Sequence, residues 1–241
     1  MRVFAIGDLH LSHARPKPMS VFGEHWRDHD AKIANNWHAM AQPDDVLIIT
    51  GDISWAIRLE DAKPDLDYIK QLPGHKVILK GNHDYWWSSK TKVRQLAAPS
   101  IEVLQADSVV IGEVAIVATR GWQCPGTQSA ADIMVEGVRS SYTEEDFKIY
   151  QREVGRLRLA FASLHGKSYK HLICALHYPP VNAQHEPSDF TALIEQYPVD
   201  ICVYGHLHSD AIRTAFNGIR NGIRYQLVSA DSIDFTPLQI L

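Results

Sequence analysis

Asn82, His83 and Asp84 stand in direct succession inside HKVILKGNHDYWW, residues 75–87. A turn after the apolar run 77–79 can use Gly81-Asn82, but it has no need of an imidazole and a carboxylate behind them. Other apolar runs end in the same way. VFAIG stops at Asp8-Leu9-His10, VLIITG at Asp52, LICAL at His177, and ICVYG at His206-Leu207-His208. Asp, Asn and His offer oxygens and imidazole nitrogens, with no thiolate among them. That donor set suits Mn²⁺, Fe or Zn²⁺ better than it suits a structural zinc site. Two ions about 3.5–4 Å apart need a shared anion between them, and such a pair acidifies a water and clamps a phosphoryl oxygen. Asp52, which stands alone after its strand, could be that anion. In Asp8-x-His10 and His206-x-His208, an extended backbone would aim both members of each pair at one pocket.

These residues are far apart in the chain, so secondary structure must gather them. Runs rich in Val and Ile lie at 3–6, 46–49, 77–79, 109–111, 114–118, 172–176, 201–204 and 225–228. The first three alternate with helix-like stretches. Trp26, Ile33, Trp37 and Met40 recur at roughly helical spacing, as do Leu66, Ile69 and Leu72, with Pro64 suited to a first helical turn. This alternation predicts an α/β fold whose ligands collect beyond the carboxyl ends of its strands. Glycine before a ligand permits a sharp turn and close backbone approach. Residues 108–118 predict a hairpin turning at Gly112-Glu113, so the sheet is mixed. The longest helix is predicted over 143–164, capped by Ser141 with Glu144 and stopped near Gly166. Its apolar stripe is Phe147, Tyr150, Val154, Leu157, Phe161 and Leu164. One domain over 1–241 is expected, with 123–166 a cap-like excursion and helix.

Composition narrows the classes. The 241 residues are 45% hydrophobic, enough for a sizeable core. A formal charge of −4 gives no basic footprint, which counts against a dedicated nucleic-acid binder. No apolar run approaches a membrane span, and MRVFAIGDLH lacks signal-peptide anatomy. Cys124, Cys174 and Cys202 form no CxxC pair and are expected to be buried reduced thiols, consistent with a cytoplasmic location.

The ordered set D-x-H, GD, GNHD, H and GHxH resembles the calcineurin-like metallophosphoesterase superfamily. It reads here as Asp8-Leu9-His10, Gly51-Asp52, Gly81-Asn82-His83-Asp84, His177 and Gly205-His206-Leu207-His208. The resemblance implies two mixed sheets packed as a sandwich flanked by helices. It implies two divalent metal ions, Mn²⁺ foremost, one on Asp8, His10, Asp52 and His208, the other on Asp52, Asn82, His177 and His206. Metal-held hydroxide would attack a phosphomonoester or phosphodiester. His83 would assist the leaving oxygen, and Asp84 would hold the His83 imidazole. Where the phosphoprotein phosphatases carry GDxxDRG, this chain has Gly51-Asp52-Ile53-Ser54-Trp55-Ala56-Ile57. Where the lipid A precursor hydrolases carry Arg, it has His83. His177-Tyr178-Pro179-Pro180 resembles the H-x-P-P segment of bacterial cyclic-nucleotide phosphodiesterases.

Outside the set, Arg120 follows a strand and is a candidate for bidentate contact with a substrate phosphate. Trp86 and Trp87 are expected in a core or interface rather than as base-stacking platforms, and His13, His25 and His29 are candidates for a pocket rim. The run 165–168, HGKS, follows a helix and lacks the first P-loop glycine, since Phe161 stands there. A small-molecule phosphoester is the expected partner. The alternatives are a metal-dependent nuclease, for which Lys90, Lys92 and Arg94 are a modest basic run, and a non-catalytic scaffold, which would be missing ligands such as His83.

Overall fold

The computed structural model describes residues 1–126 and 142–241. Four short parallel strands open the first sheet: β1 (Val3–Ile6), β2 (Val46–Ile49), β3 (His75–Leu79) and β4 (Ile101–Leu104). Helices α1 (His29–Met40), α2 (Lys63–Gln71) and α3 (Lys90–Ala97) lie between them in sequence. The C-terminal β11 (Leu238–Gln239) joins antiparallel to β1, giving the order β11-β1-β2-β3-β4. The second sheet contains β5 (Asp107–Ile111), β6 (Val114–Thr119), β7 (His171–Leu176), β8 (Ile201–Tyr204), β9 (Gly218–Arg220) and β10 (Ile223–Leu227). Its order is β5-β6-β7-β8-β10-β9, parallel in the middle and antiparallel at both edges. The β5–β6 hairpin is the one the sequence predicts, with Ile111 opposite Val114.

Side-chain alternation along each strand sorts these residues into layers. Val3, Ala5, Ile48 and Val77 face Ile116, Ile173, Ala175 and Val203 across the space between the sheets. Phe4, Ile6, Ile49 and Ile78 face the other way, onto Ile33, Trp37, Leu66 and Ile69. On the far side, Val117, Leu172 and Cys174 pack under α4 (Glu144–Ala162) and α5 (Asp189–Ile194) through Tyr150, Leu157, Phe161 and Phe190. Central strands apolar on both faces are what a two-sheet sandwich covered by helices demands. All three cysteines are buried, and none forms a disulfide.

Two expectations need correction. The cap of α4 is Thr143 with Asp146, each side chain taking the other's backbone N–H. Ser141 lies outside the described residues, as does most of the excursion placed at 123–141. Phe147 is 49% exposed, on the solvent flank of α4, and only the rest of the stripe is buried. The strands β4, β9 and β11 and the helices α3 and α5 are too short or too polar for their periodicity to have marked them.

Candidate metal centre

The chain turns sharply at the carboxyl ends of β1, β2, β3, β7 and β8, and these turns meet. Asp8 N donates to Gly51 O (2.9 Å), His206 N donates to Asp8 Oδ2 (3.0 Å), and Gly205 N donates to His177 O (3.0 Å). Close approach explains the glycines. A Cβ on Gly81 would lie 2.0 Å from Asp52 Oδ1, and one on Gly205 would lie 2.4 Å from Asp8 Oδ2. The extended backbone expected for Asp8-x-His10 is not present. Asp8, His10, Asp52 and His206 all hold positive φ, at 60°, 46°, 50° and 75°. Such conformations are costly for residues with a Cβ and cluster where function over-determines the backbone. The left-handed turns still send Asp8 and His10 to one place, while Leu9 and Leu207 anchor the intervening positions in the two outer cores.

The side chains form two overlapping groups. Asp8, His10 and His208 place ligand atoms within 4.8 Å of one another, and so do Asp8, Asp52 and His177. Asn82 joins the second group: its Oδ1 is 2.6 Å from His177 Nε2 and 3.0 Å from His206 Nδ1. His10 Nε2 lies 3.9 Å from Asp52 Oδ2. His177 Nδ1 is 2.9 Å from the Thr50 carbonyl, which fixes the proton there and leaves Nε2 bare. That bare nitrogen faces Asn82 Oδ1 and, at 3.6 Å, Asp52 Oδ1. Three acceptor atoms turned toward one another are satisfied by a cation between them, so this set fits a metal.

Electrostatics agree. Burial and the neighbouring carboxylates of Asp8 and Asp84 push Asp52 well above the usual carboxylate range. Burial would also raise Asp8, but the imidazoles of His208, His177 and His10 hold it far below. Burial pushes His177 down to about 3 and, with help from His206, His83 down to about 4, so both are neutral at pH 7. His10 is pushed well down by burial and by His208. His208 is the exception. Burial opposes its charge, but Asp8 Oδ1 at 3.2 Å and Asp231 Oδ1 at 2.8 Å lift it to about 10. Asp231 was not a sequence candidate, although the apolar run 225–228 followed by Ser229-Ala230-Asp231 obeys the same rule as the other strand ends. His29, on α1, contacts the Leu9 carbonyl through Nε2 (3.0 Å) and so braces the β1 turn.

Asp84 does not hold the His83 imidazole. Its buried carboxylate instead accepts from Ile53 N (2.9 Å), Ser54 N (3.2 Å), Gly81 N (2.7 Å) and Trp86 Nε1 (2.9 Å). Four converging donors leave no lone pair aimed at the ring, and His83 Nδ1 is buried without a hydrogen-bond partner among the described residues. Asp84 therefore ties the β2 and β3 turns together, and Trp86 is part of that knot. Trp87 is also buried, donating to Gln105 Oε1 (3.2 Å). Arg120 lies over the Trp122 ring at 4.6 Å, with Glu153 Oε1 at 3.7 Å, and does not line the cavity beside the centre. Its carbonyl accepts from His177 N and Tyr178 N, a positioning contact rather than a phosphate contact. His13 turns to Asp65 (2.7 Å), and Lys90 and Arg94 both turn to Asp107, at 2.9 and 2.8 Å.

The profile of the calcineurin-like phosphoesterases matches residues 1–210, nearly all of the chain that carries these turns. The chain belongs to the calcineurin-like phosphoesterase family. The family uses dinuclear divalent metal centres. The Gene 66 protein of Mycobacterium phage L5 is 34% identical over 77 residues, 32% of this chain and 37% of that protein. Phosphopantetheinyl hydrolase (PptH) from Mycobacterium tuberculosis superposes with a TM-score of 0.56 at 17% identity, over 95% of this chain and 88% of its own. A protein of unknown function from Aquifex aeolicus, AQ665, gives 0.52 at 16% identity, over 98% and 94%. At those identities the two structures share the fold. Among the described residues no helix is long and apolar enough to cross a membrane.

Proposed function

We propose that this phosphoesterase hydrolyses a small-molecule phosphoester at a two-metal centre, with Mn²⁺ the foremost candidate. The observation that carries the reading is the meeting of Asp52 Oδ1, Asn82 Oδ1 and the bare His177 Nε2, acceptor atoms from three turns, with Asn82 Oδ1 at 2.6 Å and Asp52 Oδ1 at 3.6 Å from that nitrogen. Asp8, His10, Asp52 and His208 would hold one ion, and Asp52, Asn82, His177 and His206 the other. When bound, the pair supplies an activated water and neutralises charge on the phosphoryl oxygens.

The chain's own residues do the rest. Asp52, fixed by the His83 backbone N–H at 2.8 Å, would serve both ions. His83 lines the cavity and is neutral, so it offers substrate a hydrogen bond through its one ring N–H rather than a full proton. An anionic phosphate beside it would raise its basicity and bring it toward general-acid duty. Asp84 and Gly81 act behind it by holding the turn.

The reading is tested with metal-stripped and Mn²⁺-reloaded protein on matched aryl phosphate mono- and diesters. Mn²⁺-dependent turnover supports it, and the preferred ester assigns the substrate type. Two tightly bound ions per chain with no hydrolysis of either ester would overturn it in favour of a scaffold.

A further inference from the structure

One end of a cavity of about 810 Å³ is the metal centre, through His10, Asp52, His83, His206 and His208. The remainder is walled by residues outside the motif set: Met19, Phe22, Trp26, Trp55, Ile57 and Tyr85. They come from the segment after β1, the turn after β2 and the residue after Asp84. Trp55 is the fixed element. Its indole stacks on the His10 ring with centroids 4.8 Å apart and planes 20° apart, and it lies 4.7 Å from His83. Its Nε1 meets Met19 Sδ at 3.3 Å. A flat surface thus begins where the metal ligands end. Phe22, Ile57 and Tyr85 are 53%, 62% and 50% exposed, three of the eight large apolar side chains left open among the described residues. Apolar groups left open around one reactive pocket mark what the pocket is built to cover.

The same lining carries two cations. Lys17 Nζ sits 3.2 Å from the centroid of the Trp55 ring, and no carboxylate of the described residues pairs with it. Arg15 is 76% exposed, with Asp61 at 3.7 Å. The acid on the opposite rim, Asp210, has Arg213 at 3.5 Å. A metal pair at the centre would answer the charge of one phosphate, so these two cations would be surplus to it.

Resting on the phosphoesterase reading, we propose the substrate class: phosphoesters whose organic part is a flat ring system bearing a second anionic group. The ring lies on Trp55 within the apolar wall, taking the place of the Lys17 ammonium over the indole, and the second anion meets the displaced Lys17 together with Arg15. Stacking on a fixed indole tolerates many rings, while the cations demand the charge.

Three p-nitrophenyl diesters share one leaving group and separate these demands: the methyl ester, the thymidine 5′-ester, and the thymidine 5′-ester carrying a 3′-phosphate. With Mn²⁺-loaded protein, kcat/KM should rise at least tenfold at each step. The second step should shrink as salt rises, and shrink at least fivefold in Lys17→Ala/Arg15→Ala. Trp55→Leu should shrink the first. In parallel, metal-free protein is titrated with thymidine 3′,5′-bisphosphate and with methyl phosphate, where no turnover intrudes. At least tenfold tighter binding of the bisphosphate, reduced at least fivefold in the double variant, supports the proposal. Equal affinities, or equal kcat/KM for all three esters, overturn it. If no ester is hydrolysed the phosphoesterase reading fails, and the titration still decides the pocket.

Discussion

Replacing Gly81 by Ala puts one methyl group into the tightest backbone contact of the centre. The new Cβ would sit 2.0 Å from Asp52 Oδ1 and 2.2 Å from Asp52 N. Carbon needs about an ångström more than that, so one turn must move. Neither side is free to do so. Asp52 Oδ1 holds the His83 N–H, the Asp52 carbonyl holds the His10 N–H at 2.9 Å, and Gly81 N is held by Asp84 at 2.7 Å. Overpacking of this kind costs about 1–3 kcal/mol, and with anchored backbone on both sides the upper end, about 3 kcal/mol, is expected. Metal ligation tolerates only about 0.2 Å, so metal affinity should fall at least tenfold as well. The control is Gly155→Ala. Gly155 is an exposed position inside α4 with nothing within 4 Å of its Cβ, so Ala there should stabilise by about 0.5–1 kcal/mol. Denaturant unfolding of both variants under chelation reads the stability difference, and chelator competition reads the affinity. A Gly81→Ala protein as stable as wild type, with undiminished metal affinity, would refute the argument that this contact positions Asp52.

Further outcomes follow from the same geometry. Asp84→Ala strips four buried donors of their acceptor, and relief of repulsion with Asp52 offsets only part of that. A loss of about 3–5 kcal/mol in denaturant unfolding is expected, against near-neutrality if Asp84 serves His83 alone. In metal-free protein the raised His208 contributes stability that is fully present below its unfolded pKa, near 6.5, and is lost as pH climbs through about 10. Above pH 8 the depressed His10, His83 and His177 are neutral in folded and unfolded chains alike, so unfolding curves under chelation at pH 8, 9 and 10 should show falling stability, and a flat profile would count against the Asp8–His208–Asp231 chain. His83→Ala should keep its metals and its fold while losing about 10²–10⁴-fold in kcat. Near wild-type rates in metal-replete variant would remove His83 from the chemistry.

The residues of the centre were legible because their type and order carry the information. Asp8, His10, Asp52, Asn82, His177, His206 and His208 each stand at or just past the end of an apolar run, and short apolar runs with Val or Ile among them, most of them ended by Gly, read as buried strands. The alternation of strand and helix followed from the same runs, and the two-sheet layering from the family resemblance that the motif order carries. What the sequence could not decide is where each polar side chain finds its partner, since hydrogen bonds form between groups that only folding makes neighbours. Asp84 adjoins His83 in sequence yet binds two amides 30 and 31 residues away. Arg120 follows a strand like the ligands, yet Glu153 and Trp122 engage it first. The left-handed φ of Asp8, His10, Asp52 and His206 leaves no mark on composition, because it is imposed by turns pressing together. Trp55, Lys17 and Arg15 were invisible as a group for the same reason. Order along the chain determined the candidate metal end of the cavity, and packing of the intervening segments determined the rest.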